Sequence, residues 1–183
     1  SARELRVEES REIFELLHVI GDFERIGDHA TNLAESALEL HKNGYTFSVA
    51  ASNELTTLFA ALTEILELTM NAFQANDDRL AGHVEPLEEV IDDLTTEIRN
   101  RHIRRLQDGE CSIGTGLVLT DILTNCERVS DHCSNIGVCI IQIRNSAFEV
   151  HDYLTELKSD QSDQAPSFVK EFNQFHKKYR LEA

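Results

Sequence analysis

The chain has no tryptophan, one methionine, two prolines and an aromatic share of 7% in 183 residues. Proline removes a backbone donor and clashes with the preceding turn. Its scarcity, with so few aromatic residues, suits long uninterrupted helices rather than a fold of short strands and turns. Basic side chains are also few, 17 against 33 acidic ones, for a net charge of −16. That balance excludes duplex nucleic acid as a partner and favours cations. No apolar run approaches the ~20 residues that span a bilayer, and no signal peptide opens the sequence, so a soluble domain is expected. The four cysteines, Cys111, Cys126, Cys133 and Cys139, lack the CxxC spacing of a zinc knuckle. Cys126 and Cys133 would stand about 10 Å apart along one helix, too far for a disulfide. Buried, reduced thiols are the expectation, which points to a cytoplasmic setting. The sequence shows no activated nucleophile, oxyanion loop or glycine-rich phosphate cradle, so no enzymatic role is expected.

What the chain does contain is an internal repeat. Asp22-Phe23-Glu24-Arg25-Ile26-Gly27-Asp28-His29-Ala30-Thr31-Asn32-Leu33 returns 103 residues later as Asn125-Cys126-Glu127-Arg128-Val129-Ser130-Asp131-His132-Cys133-Ser134-Asn135-Ile136. Glu, Arg, Asp, His and Asn are identical, and the apolar positions stay apolar. On a helix Glu24 and Asp28 share a face, roughly 6 Å apart, as do Glu127 and Asp131. A solvated face with Arg25–Asp28 and Arg128–Asp131 pairs would gain only about 0.2–0.5 kcal/mol from each. Such a face has no reason to keep the same five polar residues in order. A hard-cation site does, because metal charge offsets the carboxylate repulsion and oxygen ligands come from more than one helix.

Both segments resemble the helix signature of PhoU-type domains, whose repeats carry (E/D)xxxD on long antiparallel helices. The resemblance covers about residues 5 to 145 of the sequence. It implies an all-α antiparallel bundle of long helices, multinuclear binding of divalent or trivalent metal such as iron or zinc, and a role in regulating phosphate uptake. It also implies acidic ligands on a companion helix. Family repeats hold three helices with the motif on the last, so 1–145 reads as a bundle whose first repeat is cut to its last helix, 3–42, with the second over about 48–145. The abrupt start and the long tail, 146–183, lead to the expectation of a fragment from a larger protein: the cytoplasmic C-terminal appendage of a sodium/phosphate cotransporter at the inner face of the plasma membrane.

Taken in order, the first helix is expected from Arg3 to Lys42, with a seam of Ile13, Leu16, Leu17, Ile20, Phe23, Gly27, Ala30, Ala34 and Ala37. Glu24 and Asp28 flank that seam, and Gly27 and Ala30 would allow close approach of a neighbour. A second helix is expected over Ser48–Gln74, and a third from the Ala75–Asp78 turn to Gln107, either kinked at Pro86 or starting near Glu85. This third helix offers Glu88/Asp92 or Glu89/Asp93 as the companion ligands, a choice the spacing leaves open. Arg99, Arg101, Arg104 and Arg105 fill its last turns, either answering the helix dipole or contacting anionic headgroups or a transporter loop. Arg25 and Arg128 beside the motifs are further candidates for anion or partner contact.

The fourth helix, Ser112 to about Asn145, is the twin of the first. His29 and His132 follow the motif aspartates and are read as hydrogen-bonding partners of the ligands, with direct ligation as the alternative. Asn32 and Asn135 return to the glutamate face and could bond the carboxylates. A short helix over 149–158, a polar linker over 159–166 and a last helix over 167–179 with Phe168, Phe172, Phe175 and Tyr179 on one face complete the chain. That stripe docks on the bundle or forms a dimer contact. Two functions follow: a metal-binding regulatory module of phosphate transport, as an appendage or a stand-alone PhoU-type regulator, or a metal-free helical interaction domain. A di-metal enzyme is disfavoured because that fold uses Glu-x-x-His ligands, and Glu24 and Glu127 are followed at that spacing by Gly27 and Ser130. The expected partner is a membrane transporter domain, with phosphate reaching the site through the metal.

Overall fold

The computed structural model describes residues 2–144 and 165–182. Its helices are α1 (Ala2–Asn43), α2 (Val49–Ala75), α3 (Asp78–Ala81), α4 (Val84–Gln107), α5 (Ile113–Arg144) and α6 (Ala165–Lys178), and the described residues contain no strand. Local chemistry sets the boundaries. Gly44, at φ +65, closes α1, and the amide of Tyr45 caps the carbonyl of Leu40 at 3.0 Å. Ser48 caps α2 by accepting from the Ala51 amide at 3.2 Å. Asn76 ends it in the left-handed region at φ 49, a conformation asparagine tolerates better than most side chains.

Asp77 then accepts from the amides of Arg79 and Leu80 and starts a single turn, α3. The expected third helix is therefore split, and its long part begins at Val84. Pro86 stands in the first turn of α4, where its missing amide has no intrahelical role, and so it interrupts nothing.

α5 lies at the centre, with α1, α2, α3 and α4 all packed on it, while α6 packs on α4. Leu58, Ile65, Leu87, Ile91, Ile98, Leu119 and Leu123 are fully buried between α2, α4 and α5. Each contributes about 1.5–3 kcal/mol relative to an exposed position. Cys126, Cys133 and Cys139 are buried thiols, Cys111 is half-buried, and all four are free. Burial pushes the first three up to about 12, so they are inert at neutral pH.

α1 runs antiparallel to α5. Contacts step seven residues at a time: Glu15 meets Cys139 at 3.6 Å, Asp22 meets His132 at 2.9 Å, and His29 meets Asn125 at 2.8 Å. The buried side of α1 is thus Val19, Asp22 and Ser36, with half-buried Phe23, Ile26, His29, Leu33 and Leu40. The expected seam is rotated away from this face. Ile13, Leu16, Leu17 and Ile20 are exposed, as are Gly27, Ala30, Ala34 and Ala37, and only Phe23 of that set turns inward. Polar pairs across the α1–α5 interface choose the buried side, and Gly27 has nothing within 4 Å of where a Cβ would stand.

The aromatic stripe of α6 docks on the bundle. Phe172 and Phe175 pack against the main core, Tyr179 is buried, and its hydroxyl donates to Glu64, which also accepts from Lys178 Nζ at 2.7 Å. α6 starts at Ala165, so the last two residues of the expected linker are helical. The rest of that linker and the expected helix over 149–158 lie outside the described residues. No described helix is long and apolar enough to cross a membrane.

Candidate metal centre

The two companion pairs are placed differently. Glu88 and Asp92, one turn apart on α4, face Asp131 on α5, and their ligand oxygens lie within 4.8 Å of one another. Glu88 also belongs to a second group with Glu85 and Glu89, whose oxygens are equally close. Asp93 is exposed and joins neither group. Ser134, on α5, donates to the Glu85 carboxylate and ties this second group to the same helix. Glu127, in the second motif copy, accepts from Arg99 at 3.2 Å and flanks the first group without entering it.

Bringing these carboxylates together costs free energy. Burial, then the charges of Asp131, Glu127, Glu89 and Asp93, push the Asp92 carboxyl up to about 6. Burial also raises Asp131; Arg128, at 3.6 Å, opposes that most strongly, Glu127 adds to it, and His132 and His29 oppose it. Asp92 Oδ1 is buried without a hydrogen-bond partner. A buried acceptor left without a donor carries its full desolvation penalty, about 1–3 kcal/mol. A cation would relieve both the repulsion and that orphaned oxygen. An all-oxygen donor set suits hard or borderline ions, so the residues present fit a bound metal.

The first motif copy makes no such site. Glu24 and Asp28 are exposed and belong to no group of three close ligands among the described residues. α4 covers the carboxylate face of α5, whereas no described helix covers the equivalent face of α1. Arg25 turns to Asp22 at 3.9 Å instead of Asp28.

Three of the motif histidines and asparagines bond across the α1–α5 interface. His29 Nδ1 donates to Asn125 Oδ1 at 2.8 Å, and Asn32 Nδ2 donates to the same oxygen at 3.0 Å. His132 Nδ1 donates to Asp22 Oδ1 at 2.9 Å. Asp22 and Asn125 are equivalent positions of the repeat, so the two bonds are reciprocal. The two imidazoles stack between them with centroids 5.6 Å apart. Both rings spend Nδ1 across the α1–α5 interface, and Asn135 is exposed.

The sequence reading passed over Asp22, Asn125, Glu85 and Ser134. For the first two a signal existed, since each opens its motif copy with side chains of the same shape. The arginines also divide. Arg99 serves Glu127, while Arg105 holds Glu54 through two bonds of 2.9 and 2.6 Å, and Arg101 holds Glu97 at 2.6 Å.

The described helices thus form a bundle with carboxylates gathered between two of its long members, α4 and α5. The profile of the PhoU domain matches residues 1–37 and 55–140, more than half of the sequence, and the chain belongs to the PhoU family. Similar proteins include the phosphate-specific transport system accessory protein PhoU homolog 1 of Thermotoga maritima, 32% identical over 133 residues, covering 73% of this chain and 56% of the relative. The corresponding PhoU homologs of Zymomonas mobilis (24% over 137 residues, 75% and 56%) and Pseudomonas aeruginosa (26% over 140 residues, 76% and 57%) are also similar. The chain spans about half the length of the curated relatives it matches. No solved structure matches it significantly. These relatives are named as accessory proteins of a phosphate-specific transport system, which agrees with the expectation of no enzymatic role.

Proposed function

We propose that this domain regulates phosphate transport and signalling as a PhoU-type accessory module, with a divalent or trivalent cation held by Glu88, Asp92 and Asp131. The observation that carries the metal is the convergence of one oxygen from each of those three carboxylates within 4.8 Å, with Asp92 Oδ1 buried and unpartnered beside it on the same side chain. Glu85 and Glu89 extend the donor set through Glu88 toward a second ion. A bound cation supplies positive charge at a point where a chain of net charge −16 repels phosphate. Around it, Arg99 and Arg128 pair with Glu127 and Asp131, and the packing of α4 on α5 keeps Asp92 partly from solvent.

Regulation follows if the cation- or phosphate-loaded form differs from the free form in affinity for a membrane transporter, since a ligand shifts an equilibrium only through such a difference. The relatives carry the name of an accessory protein of a phosphate-specific transport system. That favours an accessory role at the cytoplasmic face of a transport system over an appendage of a sodium/phosphate cotransporter.

The test is phosphate uptake in cells carrying the full protein, wild type or Asp92→Asn with Asp131→Asn, across phosphate concentrations. The reading expects the phosphate-dependent restraint of uptake to be lost in the variant. Identical responses in the two strains would remove the carboxylate site from the mechanism.

A further inference from the structure

Away from the carboxylates, a cavity of about 930 Å³ opens between the first turns of α2, the last turns of α4 and the residues that follow α6. Arg101, Arg104 and Arg105 of α4 line it together with Arg180. Two of the four are committed. Arg105 grips the buried carboxylate of Glu54, and Arg101 bonds Glu97 and the main-chain carbonyl of Glu182. Arg104 and Arg180 are exposed and make no ion pair among the described residues.

We propose that this cavity binds an inorganic oligophosphate, with the guanidinium groups of Arg104 and Arg180 as its principal holders. A guanidinium presents a planar fork of donors that fits phosphate oxygens in pairs. Here two uncommitted forks from different elements line one cavity. A tetrahedral phosphoryl group offers oxygens in several planes to such forks, while a single carboxylate offers one plane. The first turn of α2, through Ala50 and Asn53, adds the positive end of a helix. Among the described residues no aromatic ring lines the cavity, so a nucleobase finds no stacking partner there. Its volume exceeds that of a single phosphate and admits a short chain.

Carboxylates line the cavity as well, and they set its balance. Glu54 and Glu97 are neutralised by Arg105 and Arg101, whereas Glu110 and Glu182 subtract from the field. The result is a nearly neutral cavity with two free guanidinium groups in a strongly acidic chain.

Arg180 owes its place to its neighbours. Tyr179 and Leu181 are both buried in the main core, so the residue between them is pinned at the cavity mouth. Those residues lie beyond the stretches matched to the PhoU domain. The site therefore joins a helix of the family bundle to a segment outside that match, and a bound polyanion would fasten the two together. It does not depend on the metal centre.

The experiment is calorimetric titration of the full chain, stripped with EDTA, with sodium tripolyphosphate and separately with orthophosphate, at fixed ionic strength. The proposal expects saturable binding of tripolyphosphate, weaker binding of orthophosphate, and an affinity for tripolyphosphate at least about tenfold lower in Arg104→Ala with Arg180→Ala. Glu24→Gln with Asp28→Asn, on the exposed face of α1, should bind as wild type. Unchanged helicity of the arginine variant by circular dichroism, and Arg180→Gln alone as a milder change, separate lost binding from lost structure. No saturable binding, or equal affinity in the arginine variants, would overturn the proposal. Binding to vesicles of anionic phospholipid without binding of tripolyphosphate would also overturn it, in favour of a membrane contact.

Discussion

His132 and Asp22 meet across the α1–α5 interface, with 2.9 Å between Nδ1 and Oδ1 and both side chains buried. The equivalent bond of the other repeat joins His29 to Asn125. Removing one partner of a buried hydrogen bond leaves the other unsatisfied, at about 1–3 kcal/mol. Asp22→Ala should therefore destabilise the protein by about that amount in urea unfolding. Asp22→Asn, which copies the amide of the second repeat, should cost distinctly less. Equal losses would show that charge, and not the reciprocal bond, is what Asp22 supplies.

Asp92 gives the metal-free protein a pH dependence of unusual sign for a carboxylate. Its carboxyl rises from 3.8 to about 6 on folding, so the folded state binds a proton that the unfolded chain has already lost. Stability from this group is then present below about pH 4 and lost as pH climbs through 6. Asp92→Asn should stabilise the EDTA-treated protein at pH 7 by about 1–3 kcal/mol and flatten its stability profile between pH 4 and 6 relative to wild type. Denaturant melts at several pH values decide it. A variant no more stable than wild type at pH 7 would mean that Asp92 is not strained in the folded protein.

Two glycines should respond in opposite directions. Gly27 lies in the interior of α1 with open space around it, so Gly27→Ala should gain about 0.5–1 kcal/mol from helix propensity. At Gly116 a Cβ would stand 2.6 Å from Nε2 of the buried His102. Gly116→Ala should cost about 1–3 kcal/mol through overpacking. Thermal melts of the two variants check both, and a destabilised Gly27→Ala would reveal a neighbour against that face of α1.

The helices were legible because their ends are written in local chemistry. Gly44, Ser48, Asn76 and Gly109 act within a few residues, and the observed ends of α1, α2, α4 and α5 fall close to those positions. The rotation of α1 was not legible in the same way. Its apolar residues Ile13, Leu16, Leu17 and Ile20 stay exposed, while Asp22, Ser36 and His29 turn inward. A hydrophobic pattern cannot show that a histidine will find its acceptor 110 residues away. Spacing left two candidate companion pairs open, and only the packing of α4 on α5 brings Glu88 and Asp92 beside Asp131. With the first repeat cut to its last helix, Glu24 and Asp28 were already expected to lack companion ligands, and they lie on the surface.

Metal binding by full-length protein, measured by equilibrium dialysis with elemental analysis of manganese, iron and zinc, tests the central claim most directly. Wild type should retain metal near neutral pH and bind it more weakly as pH falls below about 6, because protons compete for Asp92. Asp92→Asn with Asp131→Asn should lose most of it, and Glu24→Gln with Asp28→Asn should keep it. Absence of bound metal from the wild type, or equal losses from the two pairs, would contradict a cation centre built from Glu88, Asp92 and Asp131.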